Sequence, residues 1–404
     1  MSNLVPIADA LADAEVFTDG DWIESKDQDP DGDVRLAQLA DIGDGVWIDK
    51  SARFLTSEKA KQLRCTYLEP GDLLVARMPD PLGRCCVFPG DPMPCVTVVD
   101  VCVIRPNQQK IDNRYLMQVI NSPHGRQGIA RHMTGTTRQR VSRKNLGKVQ
   151  IPLPPLAEQK QIAGILGAAD ALRAKRRESL AQLGTLLQST FLDIFGDPVT
   201  NPMGWDDSVN LGEVADIISG LTKGRKLNGQ TTREVPYLAV VNVQDRHLVL
   251  DPLKRIQATE SEIQRYRLKN SDLLMTEGGD PDKLGRGTLW RDDVDECIHQ
   301  NHVFRVRLHD DGLEPVFLNW LVGSERGKRY FFRQAKQTTG IATINLSQLR
   351  KFPLLRPSLD LQRRFAAIVE SVEQQKAHQR AHLAELDALF ASLQQRVFNG
   401  GFAA

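Results

Sequence analysis

The feature that most constrains this chain is a long internal repeat. Displacing the sequence against itself by about 200 residues aligns GTTRQRVSRKNLGKVQIPLPPLAEQKQI (135–162) with TTGIATINLSQLRKFPLLRPSLDLQRRF (338–365). In that register Val141 meets Ile344, Leu146 meets Leu349, Pro154 meets Pro357, Gln159 meets Gln362 and Phe195 meets Phe398. Further upstream, after small slips, GDLL (71–74) faces SDLL (271–274), LGR (82–84) faces LGR (284–286) and Gly125 faces Gly327. So long a period is no solenoid unit; matches running through loops, strands and helices together mark a duplicated domain. The second copy's opening, NLGEVADIISGLTKGRKLNG (210–229), has no evident counterpart in the first, which begins with the acidic MSNLVPIADALADAE.

Each copy ends in a long helical pattern. Apolar residues fall at Ile162, Ile165, Ala169, Leu172, Leu180, Leu183, Leu187 and Ile194, and again at Phe365, Ile368, Val372, Leu383, Leu386, Phe390, Leu393 and Val397. A spacing near 3.5 residues predicts a coiled-coil seam, interrupted in both copies by a polar residue, Arg176 or Gln379. At ~1.5 Å per residue such a helix reaches ~60 Å, longer than one small domain needs, so the two helices are expected to pair with each other. Proline just ahead of each helix costs little there, because its fixed φ and missing N–H suit a first turn. Glycines after Phe195 and Phe398 stop both helices.

The formal net charge of +1 hides strong segregation. Residues 1–50 hold thirteen acids and three bases, whereas 124–148 hold seven bases and no acid, as do 326–351. The first patch is Arg126, Arg131, Arg138, Arg140, Arg143, Lys144 and Lys148; the second is Arg326, Lys328, Arg329, Arg333, Lys336, Arg350 and Lys351. A single charge run is usually a solvated face. Its return at the same place in both copies suits a long polyanion gripped at two points.

These residues carry a family resemblance. GDWIESKDQDPDGDVRLAQLADIGDG (20–45), LEPGDLLVARMPDPLGR (68–84), GTTRQRVSRKNLGKVQIPLPPLAEQ (135–159) and LGEVADIISG (211–220) resemble the specificity subunit of type I restriction–modification systems. The resemblance covers nearly the whole chain. It implies an α+β fold of two tandem target-recognition domains, each followed by a long spacer helix, the helices paired as an antiparallel coiled coil with pseudo-two-fold symmetry. Expected boundaries are 1–155 and 198–357 for the recognition domains, with the helices at 156–197 and 358–404. The implied role is non-catalytic: each domain reads one half of a split DNA site, and adenine methylation and restriction belong to partners. Those partners would be two methyltransferase subunits, supplying S-adenosylmethionine chemistry, and restriction/translocase subunits, supplying ATP- and Mg2+-dependent cleavage. Docking would use the proline–helix junctions at Pro154, Pro155, Glu158, Gln159, Pro357 and Gln362. The second copy departs from the pattern, since FPLLRPSLDLQ lacks the double proline and keeps only Gln362 of the Glu-Gln pair.

Candidate DNA contacts are the patch residues with Arg77, Arg84 and Gln139 in the first copy, and Lys223, Arg225, Lys226 and Arg286 in the second. Most would hold phosphates; Arg138, Arg84 and Gln139 have the chemistry to read guanine or adenine. No amino-methyltransferase tetrapeptide is present, and SGLTKGRK (219–226) lacks phosphate-loop spacing. Glu24-Ser25-Lys26 imitates a nuclease triplet that chance often produces. His299 with His302, and His378 with His382, lack a third metal ligand and are expected to face solvent. Asp27–Val34 matches the start of an EF-hand loop, but position twelve is Gln38, so a solvated turn is the default. No apolar run approaches the ~18 residues of a membrane span, and the acidic start is unlike a signal peptide. Six cysteines without a CxxC pair suggest reduced thiols and a cytoplasmic setting. Two rival classes stay open on the residues alone: a nuclease with an unrecognised site, and a coiled-coil adaptor that binds only protein.

Overall fold

The computed structural model describes residues 4–136, 138–227, 229–279, 284–338 and 341–400. It divides into two compact units, residues 1–178 with 380–404, and residues 179–379. Both divisions fall inside the long helices, so each unit combines one copy of the repeated α+β domain with parts of both helices.

The first unit holds a four-stranded antiparallel sheet in the order Val16–Asp19, Val101–Arg105, Leu73–Ala76, Cys85–Val87. A three-stranded sheet sets Val34–Ala37 between Phe54–Leu55, antiparallel, and Cys95–Thr97, parallel. The second unit repeats this order. Its four-stranded sheet is Ala215–Ser219, Val303–Leu308, Leu273–Thr276, Gly287–Leu289. Its three-stranded sheet sets Arg233–Leu238 between Lys254–Ala258 and the parallel Ile298–His299.

The apolar runs LLVA and LLMT are buried along their whole length because both faces of each strand are covered. Alternation sends Leu73 and Val75 into a core with Ile7 and Tyr115, and Leu74 and Ala76 into another with Phe88 and Val103. Leu273 and Met275 divide from Leu274 in the same way. Two helices then close the larger core of each unit, Asn113–Asn121 with Pro123–Arg131, and Pro315–Val322 with Glu325–Gln334. Between members of each pair a glycine is obligatory: a Cβ on Gly125 would lie 2.2 Å from the Val119 carbonyl oxygen, and one on Gly327 1.8 Å from that of Val322.

The opening of the second copy does have a counterpart. The N–H of Leu211 donates to the Phe352 carbonyl as that of Ile7 donates to the Val149 carbonyl, and each starts a short helix followed by the sheet's edge strand. The first copy carries five residues between helix and strand where the second carries none, which hid the match in sequence.

The long helices span Leu156–Phe195 and Leu359–Gln395. In the first unit they run antiparallel: Arg173 Nε lies 2.6 Å from the Asp387 carboxylate and Arg176 Nη2 2.9 Å from His382 Nδ1. In the second unit Phe191 and Phe195 pack on Phe365, with ring centroids 5.4 and 5.5 Å apart. The seam differs in part from the apolar pattern. Ile165 and Leu172 are solvent-exposed, and Leu166 and Arg173 occupy the inner positions instead. Arg173 can do so because its guanidinium stacks 4.3 Å from the Phe390 ring centroid while pairing with Asp170 and Asp387. Gly196, with φ of +76°, ends the central helix as expected. The other helix continues through Arg396–Gly400 in a wider turn, and its second glycine stop, Gly401, lies outside the described residues.

Candidate nucleic-acid interface

The proline–helix junctions are built identically. Gln159 is 1% exposed; its amide donates to the carbonyls of Pro154 (2.8 Å) and Lys110 (3.0 Å) and accepts from the Asp112 N–H at 3.0 Å. Gln362 is 0% exposed and repeats the clamp with the Pro357 and Gly312 carbonyls and the Glu314 N–H. Pro154 and Pro357 are buried, Pro155 is exposed and Glu158 is half-buried. Both glutamines therefore tie a helix start to its own domain, and the solvent-facing part of the first junction is Pro155 with Glu158.

The basic candidates separate into two groups. In one, the guanidinium is held by the protein. Arg77, 7% exposed, donates to the Val141 and Val99 carbonyls and lies 2.8 Å from Asp19. Arg84 donates to the carbonyls of Ile42 and Leu39, and Arg126 bonds the Leu82 carbonyl, Asn121 and Asp44. Arg143 donates to the Phe17 carbonyl, and Arg286 to Gln244. Arg225 grips Glu262 through two 2.6 Å contacts, which hold that carboxyl down at about 2. Arg326 bonds the Pro353 and Pro198 carbonyls and Asp207, and Arg329 pairs with Glu325 one turn back. In the other group, Arg131, Arg138, Gln139, Arg140 and Lys144 in the first unit, and Lys223, Lys226, Lys328, Arg333 and Lys336 in the second, all face solvent. Arg131 and Arg333 occupy corresponding places, six residues beyond the two obligatory helix glycines.

In the first unit Arg138 and Arg140 border a cleft of about 730 Å3. Its other walls come from Asp21, Trp22 and Glu24, from Gln38 and Leu39, and from Arg77, Met78 and Asp100. The chain reaches this wall because Gly20 passes close to a neighbouring strand: a Cβ there would sit 2.3 Å from the Val98 carbonyl oxygen. Trp22, 70% exposed, stands on the rim and donates its indole N–H to Glu24 at 3.2 Å. Arg84 fixes the floor by holding the Leu39 and Ile42 carbonyls. Trp22 and Gln38 were not singled out as contacts from the sequence; the one available signal was a lone tryptophan in an otherwise acidic, polar stretch.

The metal readings end differently from one another. The EF-hand-like carboxylates have separate partners: Asp27 takes the Glu24 N–H, Asp29 the Asp31 N–H, and Asp33 caps the helix at Ser57. No cluster of three or more His, Cys, Asp or Glu able to hold a metal occurs among the described residues. His299 does not face solvent. It is 0% exposed, shares a 2.7 Å hydrogen bond with the Val303 carbonyl, and burial holds its pKa down to about 4, so the ring is neutral. His302 pairs with Glu277 at 2.5 Å, and His378 and His382 are exposed. No helix among the described residues is long and apolar enough to cross a membrane.

Comparison with known proteins gives one consistent set. Residues 15–182 match the family model for the type I restriction modification DNA specificity domain. The StySPI specificity subunit of Salmonella potsdam is 26% identical over 284 residues, 67% of this chain and 60% of that one. The EcoKI specificity subunit of Escherichia coli K12 is 24% identical over 322 residues, 75% and 68% of the two chains. The fold matches that of the type I restriction–modification S subunit from M. genitalium, with TM-score 0.56, 14% identity and coverage of 98% and 96%. A chain from a type I R-M system assembly structure gives TM-score 0.55, 19% identity and coverage of 99% and 98%.

Proposed function

We propose, from the match of residues 15–182 to the type I restriction modification DNA specificity domain and the fold shared with an S subunit of such a system, that this chain is the non-catalytic, DNA-reading component of such a complex. Each unit reads one half of a two-part target in double-stranded DNA. The two methyltransferase subunits bring S-adenosylmethionine and modify adenine, and the restriction/translocase subunits bring ATP and Mg2+ chemistry, all in the cytoplasm. The observation that carries this reading is the duplication itself: one scaffold built twice, each copy presenting solvent-facing cations at Arg131 and Arg333.

The solvent-facing cations outside the cleft, Arg131 and Lys144 in the first unit and Lys223, Lys226, Lys328, Arg333 and Lys336 in the second, hold phosphates without base preference and set the register of each domain on the duplex. Arg77, Arg84, Arg126, Arg143, Arg225, Arg286 and Arg326 act one step back, holding the chain segments around the contacts, and Arg329 pairs with Glu325 along its own helix. The methyltransferase subunits dock at the helix starts, touching Pro155 and Glu158, which Pro154 and Gln159 shape from within; Pro357 and Gln362 do the same in the second copy. The long helices set the unread gap between half-sites.

The test is selection of bound duplexes from a random pool by the chain assembled with its methyltransferase partner. The expected result is two short conserved blocks separated by a gap of fixed length and free sequence. A single uninterrupted block, or no selection, overturns the proposal.

A further inference from the structure

Because one scaffold is built twice, the two units form an internal comparison. Side chains kept in both copies serve the scaffold. Asp72 and Asp272, each 1% exposed, hold Arg105 at 2.7 Å and Arg307 at 2.6 Å across their sheets. The LGR turns place Gly83 and Gly285 both at φ +77°. At the cleft the same backbone carries unlike chemistry.

Four backbone features fix the equivalence. The bridge from Asp21 to Val98 matches that from Leu221 to Gln300. The Gln38 N–H donates to Asp41 as the Ala239 N–H donates to Asn242. The Arg77 N–H donates to the Asp100 carbonyl as the Glu277 N–H donates to that of His302, and Val141 binds the Arg77 carbonyl as Ile344 binds that of Glu277. Trp22 therefore corresponds to Thr222, Gln38 to Ala239, Arg77 to Glu277 and Asp100 to His302. In the aligned sequences Ile341 and Thr343 stand at the places of Arg138 and Arg140.

The composition of the first cleft argues against a simple phosphate grip. Asp21, Glu24 and Asp100 line it beside Arg138 and Arg140, and carboxylates repel a phosphate backbone. Mixed donors and acceptors on a concave wall, with an aromatic rim, suit the edges of bases instead. We infer that this cleft reads the bases of one half-site, with Gln38, Arg138 and Arg140 as the reading residues and Trp22 as an apolar contact. The equivalent face of the second unit, through Glu277 and His302, reads a different base sequence. The inference rests on the DNA-recognition reading above and adds which side chains discriminate. Arginine pairs with guanine and glutamine with adenine through two hydrogen bonds each, while a carboxylate accepts from the cytosine amino group. The first half-site should therefore contain purines on the strand that is read, and the second should contain a cytosine opposite Glu277.

The experiment is duplex selection from a random pool, with wild type and variants each assembled with the methyltransferase partner. Gln38→Ala and Arg138→Ala should each lower discrimination at one or two positions of one half-site by about 5- to 150-fold. The other block of the consensus stays intact, which also reports that the variant is folded. Glu277→Gln should change the opposite block, moving preference at one position from cytosine toward adenine. Arg131→Ala should weaken binding and leave both blocks unchanged. If Arg138→Ala selects nothing, Arg138→Lys, which keeps the charge and loses the guanidinium fork, must still change the preference. Unchanged blocks in Gln38→Ala and the informative Arg138 variant overturn the inference and leave the DNA reading standing. A wild-type complex that selects no sequence overturns that reading, and the inference with it.

Discussion

Cutting away the ring of Phe195 should unfold the second unit, although Phe195 ends the helix that follows the first copy of the repeat. The ring is 1% exposed and lies 4.7 Å from Phe317, 5.1 Å from Phe191 and 5.5 Å from Phe365, centroid to centroid. Its carbonyl also accepts the Trp205 indole N–H at 2.8 Å. A Phe→Ala change in such a core costs ~3–5 kcal/mol, and the aromatic contacts place Phe195 toward the upper end. At ~1.4 kcal/mol per tenfold, amide exchange in the core should quicken about 150- to 5,000-fold. Hydrogen exchange read by mass spectrometry should localise that gain to Val303–Leu308 and Pro315–Val322. Strand Val101–Arg105 should keep its protection. Phe398→Ala should do the reverse, because Phe398 packs on Tyr115 at 6.1 Å in the first unit. Loss of protection in Val101–Arg105 on changing Phe195, or none in Val303–Leu308, would show that each helix end belongs to its own sequence copy and refute the reasoning.

Gln362→Ala leaves the Glu314 N–H and two carbonyls unpaired, and should destabilise the second unit by about 2–4 kcal/mol, read as a lowered denaturant midpoint; Gln159→Ala should do likewise for the first. Arg131→Ala and Arg333→Ala should each flatten the salt dependence of DNA binding by about one unit per lost phosphate contact, and an unaltered slope argues against contact. The Glu262 carboxyl sits at about 2 against an ordinary 4.5, chiefly through its hydrogen bonds to Arg225. Its stabilising effect is therefore whole above 4.5 and fades as pH falls toward 2, so stability curves of wild type and Arg225→Ala should converge across that window. One heptad inserted after Arg176 and another after Gln379 adds ~10 Å of helix, and should lengthen the unread gap by about three base pairs in selected duplexes while both blocks persist.

The duplication and the two long helices were legible because they rest on spacing, which sequence records directly. The seam was legible only in part. Near its middle Ile165 stands next to Leu166, and Leu172 next to Arg173, so hydrophobicity alone assigns Leu172 to the interior. The structure chooses Arg173, because a long side chain can lie along an aromatic ring and end on two carboxylates. The matching of residues 210–220 to the first copy failed for a simpler reason. Short elements tolerate loop insertions at little free-energy cost, and five extra residues between helix and strand break a position-by-position alignment without changing the fold.

Cation clusters posed the harder problem. Sequence shows where arginines are but not where carbonyl oxygens lie, and Arg77, Arg84 and Arg126 each donate to backbone carbonyls brought close by tertiary structure. A guanidinium with five donors is well suited to tying loops together, so an arginine-rich segment mixes residues bound within the fold with residues open to solvent. The two copies separate them. The identical pairs, Gln159 with Gln362 and Asp72 with Asp272, turn inward, and each pair repeats one structural task. Divergence at fixed backbone positions, Gln38 against Ala239 and Asp100 against His302, is where two domains of one fold can differ in what they bind. If the two units read different DNA sequences, as proposed, the framework is kept in both copies while the reading face varies. The residues most informative about specificity are therefore those at which the repeat fails while the backbone register holds.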